Sequence, residues 1–210
     1  MEDLSKISVV LPSLDPDEKL VQVIDGLLEY GFTDIILVND GSKPENLHYF
    51  TEQAQLHPEI HLLHHEVNKG KGAALKNAFR WFLANRPEGK GVVTVDGDNQ
   101  HHALDVLSCS EVLCAIPQNL ILGVRDFSGP DVPARSRKGN RITSFVFRAF
   151  CGMKISDTQT GLRAIPACHL PRLLEVEGER FYSFPTAEAL LDAGETGLGE
   201  CKLGFRVKYI

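Results

Sequence analysis

Val92-Val93-Thr94-Val95-Asp96-Gly97-Asp98-Asn99-Gln100-His101 is the stretch from which the fold can be read. Four β-branched residues in succession make a short buried strand. The strand runs directly into carboxylates, which places Asp96 and Asp98 at its carboxyl end. In an open parallel sheet, ligands bind beyond the carboxyl ends of the strands, where the strand order reverses. If the chain continues extended, residues two apart point the same way, so Asp96, Asp98 and Gln100 present two carboxylates and an amide oxygen to one point. Gly97 permits the tight backbone this needs. Hard oxygen ligands suit Mg²⁺ or Mn²⁺, which in turn bind phosphate oxygens. The other reading of an isolated Asp-x-Asp is an acidic surface turn.

Outward from this stretch the same unit repeats. Ile7 to Leu11 is a β-branched run stopped by Pro12, and it reads as a buried strand. Asp15 is placed as the N-cap of a helix with Pro16 at its first position and Glu18 at its third. Leu20, Val21, Ile24, Leu27 and Leu28 give that helix one apolar face, and Gly31 ends it. A second strand, Ile35 to Val38, runs into Asn39-Asp40-Gly41-Ser42. Helices are expected at Glu45 to Leu56, Ala73 to Leu83 and Leu104 to Cys114, with strands at Ile60 to Leu63 and Leu120 to Val124. Strands alternating with helices predict an α/β fold: a mostly parallel, Rossmann-like sheet with helices on both faces. After residue 125 a loop rich in Arg, Ser, Gly and Pro leads to a further helix near Ile142 to Phe150.

The chain has 210 residues, of which 43% are apolar and 24% charged, which predicts a single domain with a sizeable core. A net charge of −6 argues against a nucleic-acid partner while leaving room for a local basic pocket. No run reaches the roughly 20 apolar residues of a membrane span. Leu107 to Val124 is interrupted by Glu111 and Pro117, and Ile142 to Met153 by Arg148. The acidic start Met1-Glu2-Asp3 lacks a signal-peptide pattern, so a cytoplasmic location is expected. Cys109, Cys114, Cys151, Cys168 and Cys201 are scattered without zinc or redox spacing and read as reduced, mostly buried thiols. His61, His64 and His65 read as structural or exposed.

Val-Asp-Gly-Asp-Asn-Gln-His, residues 95–101, resembles the Asp-x-Asp segment of family 2 glycosyltransferases of the GT-A fold. It is most similar to the dolichol-phosphate mannosyltransferase, or polyprenyl-phosphate glycosyltransferase, branch. Ile7 to Leu14 resembles that family's opening strand and turn, and Val38 to Ser42 its Val-Asp-Asp-Gly-Ser. Asn68-Lys69-Gly70-Lys71-Gly72-Ala73-Ala74-Leu75 resembles its Gly-rich segment opening a helix. Gly123-Val124-Arg125 and Asp157 to Arg163 resemble two later motifs. Six motifs in order across residues 5–165 leave little room for chance. The departures are Asp15-Pro16-Asp17-Glu18 in place of the opening Asn-Glu, Asn39 in place of the first Asp, and His102 where Pro is common.

The resemblance implies an inverting, metal-dependent transferase acting on a nucleotide-sugar donor. Pro12, Leu14, Asp15, Asn39, Asp40, Lys71, Asp96 and Gly97 would line the donor site. Asp40 is expected to accept from a base N–H or a ribose hydroxyl; the other reading makes it a turn former. Lys71 approaches the diphosphate or, with Lys69, is one of a solvated pair. Asp96, Asp98 and Gln100 are the expected ligands of Mg²⁺ or Mn²⁺. Arg125, Arg135, Arg137 and Arg163 are expected to grip an acceptor phosphate, since arginine forks suit phosphate; a surface ion pair is the other reading of each. The catalytic set is Asp98, Arg125 and Arg163. The expected acceptor is a polyprenyl phosphate, or otherwise a saccharide. Contact with the inner membrane face would be peripheral, through Phe145, Phe147 and Phe150, or through a separate membrane subunit. The nucleotide-sugar half spans about residues 5–124 and the acceptor half about 125–210 of the one domain. A sugar-nucleotide nucleotidyltransferase and a non-catalytic nucleotide-sugar-binding domain are the alternatives.

Overall fold

The computed structural model describes residues 3–125, 161–175 and 203–209. Seven strands form one sheet: β1 (Ile7–Ser13), β2 (Ile35–Asp40), β3 (Ile60–His65), β4 (Gly91–Thr94), β5 (Leu120–Arg125), β6 (Arg163–Pro166) and β7 (Leu203–Tyr209). Their order is β3-β2-β1-β4-β6-β5-β7. The pairs β3–β2, β2–β1, β1–β4 and β5–β7 are parallel, and β6 runs antiparallel to both its neighbours. The order reverses between β1 and β4, so the crevice where ligands are expected opens above Ser13 and Val95.

Alternate residues of each central strand face opposite sides, and helices cover both. On one face Val9, Leu11, Leu37 and Val93 pack with Leu20, Ile24 and Leu27 of α1 (Glu18–Glu29), Phe50 of α2 (His48–Leu56) and Val106 and Leu113 of α4 (Ala103–Ala115). On the other, Val10, Ile36, Val38 and Val92 meet Ala74, Ala78, Phe79 and Phe82 of α3 (Lys71–Asn85) and Leu170 and Leu173 of α5 (Leu170–Glu175). Each fully buried aliphatic or aromatic side chain contributes about 1.5–3 kcal/mol. Gly31, at φ +84°, closes α1: its N–H donates to Leu28 O, and Phe32 N–H donates to Leu27 O. This pair of bonds satisfies the last carbonyls and needs the left-handed residue that glycine supplies.

The start of α1 corrects the expected cap. Asp17, not Asp15, caps it by accepting from Lys19 N–H at 2.9 Å. Asp15 instead adopts a left-handed backbone, φ +47°, and its carboxylate accepts from Lys43 N–H at 2.8 Å and Asn46 Nδ2 at 3.2 Å. The Lys43 bond above all holds the Asp15 carboxyl below the usual range. Local spacing suggested a cap; a loop 28 residues away in the chain claimed the side chain.

Away from the crevice, Asp34 is buried and takes a two-pronged contact from Arg86, with Nε at 3.0 Å and Nη2 at 2.7 Å. Ser8 Oγ and His61 also meet it, and Trp81 stacks on both His61 and the Arg86 guanidinium. Among the described cysteines, Cys109 and Cys114 are buried and Cys168 is exposed; Cys151 and Cys201 lie outside the described residues. Burial pushes the Cys109 thiol up to about 12. Cys168→Ser is therefore expected to remove one equivalent of rapid labelling by a thiol reagent near neutral pH. Cys109→Ser should remove none, and the reverse pattern would contradict the placement. The Phe145, Phe147 and Phe150 segment also lies outside the described residues, and among those residues no helix is long and apolar enough to cross a membrane.

Candidate functional site

The carboxyl ends of β1, β2 and β4 meet as expected, but the segment after β4 is not extended. The strand ends at Thr94, Gly97 and Asp98 form a turn, and Asn99 is left-handed at φ +61°. The alternation that would aim Asp96, Asp98 and Gln100 at one point is therefore broken. Gln100 is exposed, and its backbone N–H donates to Asp98 Oδ1 at 3.2 Å, while Asn99 Nδ2 reaches Gln22 Oε1 at 2.9 Å. Gly97 lies against Ser13 at the end of β1, where a Cβ would crowd Ser13 Oγ. Pro12 is buried inside β1, and Leu14 and Asp15 are exposed at the rim.

Asp96 is half-buried and forms an ion pair with Lys71 Nζ. Gly161 packs directly on the Asp96 carboxylate, where a Cβ would overlap it. Gly161 O in turn accepts from Thr94 Oγ1 at 2.9 Å. In the motif spanning residues 157–163 it is the glycine, Gly161, that touches the Asp96 carboxylate. Nothing local in the sequence signals a contact across 65 positions.

Asp40 is buried, and its carboxylate is well supplied with donors. Oδ1 accepts from His65 Nδ1 at 2.7 Å and Lys69 N–H at 3.0 Å, and Oδ2 accepts from Gly70 N–H at 2.8 Å. His65 Nε2 lies 3.2 Å from Asn77 Nδ2 on α3, so the imidazole bridges β2 to that helix. Asp40 thus anchors the Gly-rich segment that opens α3. Gly41, φ +76°, adds to this: it lies so close to the Val67 and Asn68 backbone that no Cβ fits. His65, buried and bonded on both ring nitrogens, holds Asp40 in place, in keeping with the structural reading of that histidine. Asn39 is buried beside it; its Oδ1 accepts from Ser42 N–H at 2.9 Å and its Nδ2 lies 2.9 Å from His64 Nδ1.

Among the described residues no three His, Cys, Asp or Glu side chains gather as a metal cage. Asp96 and Asp98 still fit a hard divalent ion, because Mg²⁺-type sites need only one or two carboxylates beside substrate phosphates and water. His101 is buried and, with Asn99, lines a cavity of about 680 Å³ between α1 and α4.

Of the four arginines, Arg135 and Arg137 lie outside the described residues, as does the side chain of Arg125, whose backbone ends β5 beside Tyr209. Arg163, expected to grip an acceptor phosphate or to form a surface ion pair, is not at the surface. It is only 6% exposed, in β6 between Thr94 and Leu122. A buried arginine exchanged for lysine loses its planar fork inside the sheet. Arg163→Lys is expected to lower the melting temperature by about 4–8 °C, the equivalent of about 2 kcal/mol. Donor binding and turnover should fall with it. Unchanged melting with slower use of a lipid phosphate alone would restore the acceptor role.

Comparison with known proteins matches this architecture. The model of glycosyl transferase family 2 covers residues 8–167, and the chain belongs to that family. The UDP-N-acetylglucosamine–dolichyl-phosphate N-acetylglucosaminyltransferase of Methanococcus voltae is 24% identical, over 92% of this chain and 83% of its own length. A dolichyl-phosphate beta-glucosyltransferase of Trichomonas vaginalis is 35% identical over 33% of this chain and 25% of its own. An uncharacterised protein of Methanocaldococcus jannaschii is 26% identical over 76% of this chain, which spans 64% of that relative's length. Glucosyl-3-phosphoglycerate synthase from Mycobacterium tuberculosis, solved with UDP, superposes with a TM-score of 0.67 at 20% identity, over 96% of this chain and 69% of its own. A mannosyltransferase from Pyrobaculum calidifontis, solved with GDP-Man and Mn²⁺, gives 0.56 at 19% identity, over 85% and 51%. The fold is GT-A, and the protein is a glycosyltransferase.

Proposed function

We propose that this enzyme transfers a sugar from a nucleotide-sugar donor to a polyprenyl phosphate, with inversion and with the help of Mg²⁺ or Mn²⁺. The observation that carries the reading is the ion pair of Asp96 with Lys71 above the reversal in strand order, beside a helix N-terminus pinned by Asp40, with Asp98 exposed in the turn two residues on. Helix N-termini favour anions, and a diphosphate placed there would meet both the α3 dipole and the Lys71 ammonium. A divalent cation held by Asp96 and Asp98 would neutralise the departing diphosphate. The ends of β1 and β2, with Ser13, Asn39 and the Asp15–Lys43 loop contact, would seat the nucleoside. The donor half is then residues 5–124 and the acceptor half 125–210.

In this reading the acceptor oxygen attacks the anomeric carbon in line as the bond to the diphosphate breaks. A phosphate acceptor is already anionic, so no strong general base is needed. The dolichyl-phosphate acceptors in the names of two relatives support this choice. Contact with the inner membrane face, peripheral or through a separate membrane subunit, would bring such an acceptor within reach. The test incubates the protein with a panel of nucleotide sugars, Mn²⁺ or Mg²⁺, and a short-chain polyprenyl phosphate. Metal-dependent appearance of lipid-linked sugar is expected. Transfer to soluble saccharide hydroxyls, with polyprenyl phosphate never used, would refute the acceptor and leave the family intact.

A further inference from the structure

We infer that Lys71 is the resident counter-cation of the Asp96 carboxylate. A divalent ion must displace it to bind, so metal entry and release of Lys71 toward the donor diphosphate are one coupled step. The inference rests on the proposed metal-dependent reading and adds an order of events to it.

Three features of the site lead here. First, Lys71 Nζ contacts Asp96 Oδ1 directly, with the two side chains 33% and 30% exposed. An ion can reach this pair from solvent, but an ammonium and a divalent cation repel each other and cannot share one carboxylate oxygen at contact distance.

Second, the two partners differ in freedom. Gly161 packs on the Asp96 carboxylate and Thr94 holds the Gly161 carbonyl, so Asp96 has no room to turn away on that side. On the other side, Lys71 is the first residue of α3, and Lys69 and Gly70 just before it are tied to Asp40. Asp40 is tied to His65, and His65 to Asn77 on the same helix. The backbone that carries Lys71 is therefore fixed, and the four-carbon side chain is the part that can move.

Third, the field at this place favours exchange. Lys71 stands in the first turn of a 15-residue helix, where the dipole disfavours a cation and favours an anion. Asp96 offsets that disfavour while Lys71 is paired with it. When a metal ion takes the Asp96 carboxylate, a diphosphate at the α3 N-terminus offers the displaced ammonium an anion. Lys71 acts in this scheme as a positioning residue that couples metal binding to donor binding.

The test measures Mn²⁺ binding to the protein alone, from the electron paramagnetic resonance of unbound Mn²⁺, with no nucleotide present. Lys71→Met is expected to bind Mn²⁺ about fivefold more tightly than the parent, the order of a half-exposed ion pair. Lys71→Arg keeps the charge and should stay near the parent. With inorganic pyrophosphate added to the Mn²⁺-loaded proteins, Lys71→Met should bind it more weakly than the parent does. A purely structural lysine would leave Mn²⁺ affinity unchanged or weaken it as the fold loosened. Equal or weaker Mn²⁺ binding by Lys71→Met would overturn the inference while leaving metal dependence standing. Absence of Mn²⁺ binding in parent and variant alike would overturn both.

Discussion

Asp98→Ala is expected to leave a folded protein whose metal-dependent turnover falls about 1000-fold or more. Metal-assisted neutralisation of a leaving group is worth several kcal/mol, and each 1.4 kcal/mol is tenfold in rate. The variant separates chemistry from folding unusually well. Asp98 is exposed, and among the described residues its carboxylate accepts from Gln100 N–H at 3.2 Å. Surface substitutions of this kind change stability by about 0.5 kcal/mol or less. Donor binding measured in Mn²⁺ should drop, while binding without metal and the melting temperature should not. Turnover retained with unchanged donor affinity in Mn²⁺ would remove Asp98 from the metal site.

Asp40→Ala is expected to behave in the opposite way, as a stability defect that takes binding with it. Asp40 is 4% exposed and its carboxylate serves three donors: His65, Lys69 N–H and Gly70 N–H, the last of which is shared with Asn68 Oδ1 at 2.9 Å. Removing it takes the acceptor from Lys69 N–H and from His65 Nδ1 and leaves Gly70 N–H to Asn68 alone, a loss of about 3–5 kcal/mol. At this chain length that lowers the melting temperature by about 10 °C. Nucleotide affinity should fall as well, because the Gly-rich segment and Lys71 lose their anchor. His65→Ala should cost less, since Asp40 keeps both backbone donors. If Asp40→Ala melts like the parent but loses only nucleotide affinity, the carboxylate faces the base, as its place after β2 first suggested.

Much of the fold is legible in the chain because its signals are local. Ile7 to Leu11, Ile35 to Val38, Val92 to Val95 and Leu120 to Val124 each lie within one residue of an observed strand or inside it. Gly31 ends α1 at a left-handed position, as its place after the last apolar residue predicts. β6 was not legible: Arg163–Pro166 is four residues long and flanked by nothing that marks a strand. Its pairing partners, Thr94 and Leu122, are supplied by the sheet it joins. Asp15 and Asp17 illustrate the same limit at a cap. Both residue types suit the role, and only the arrival of the Lys43 loop decides which one is free to take it.

For the site, the sequence determined by itself which strand ends carry polar residues, and that Asp96 and Asp98 stand at the end of β4 on the crevice side of a parallel sheet. These follow from hydrophobic periodicity and from the rule that parallel strands end on one edge. The tertiary structure alone decided what each polar group touches. It turned the chain at Gly97–Asp98 and so broke the alternation that extended geometry would have given Gln100. It placed Gly161 on Asp96, Lys71 opposite it, and His65 and the α3 backbone on Asp40. It also buried Arg163, whose charge and position in a motif had suggested a grip on an acceptor phosphate. The physical reason is that a buried carboxylate must collect donors from wherever the fold brings them. Those donors stand 25 to 30 positions away in the chain, beyond the reach of any local pattern.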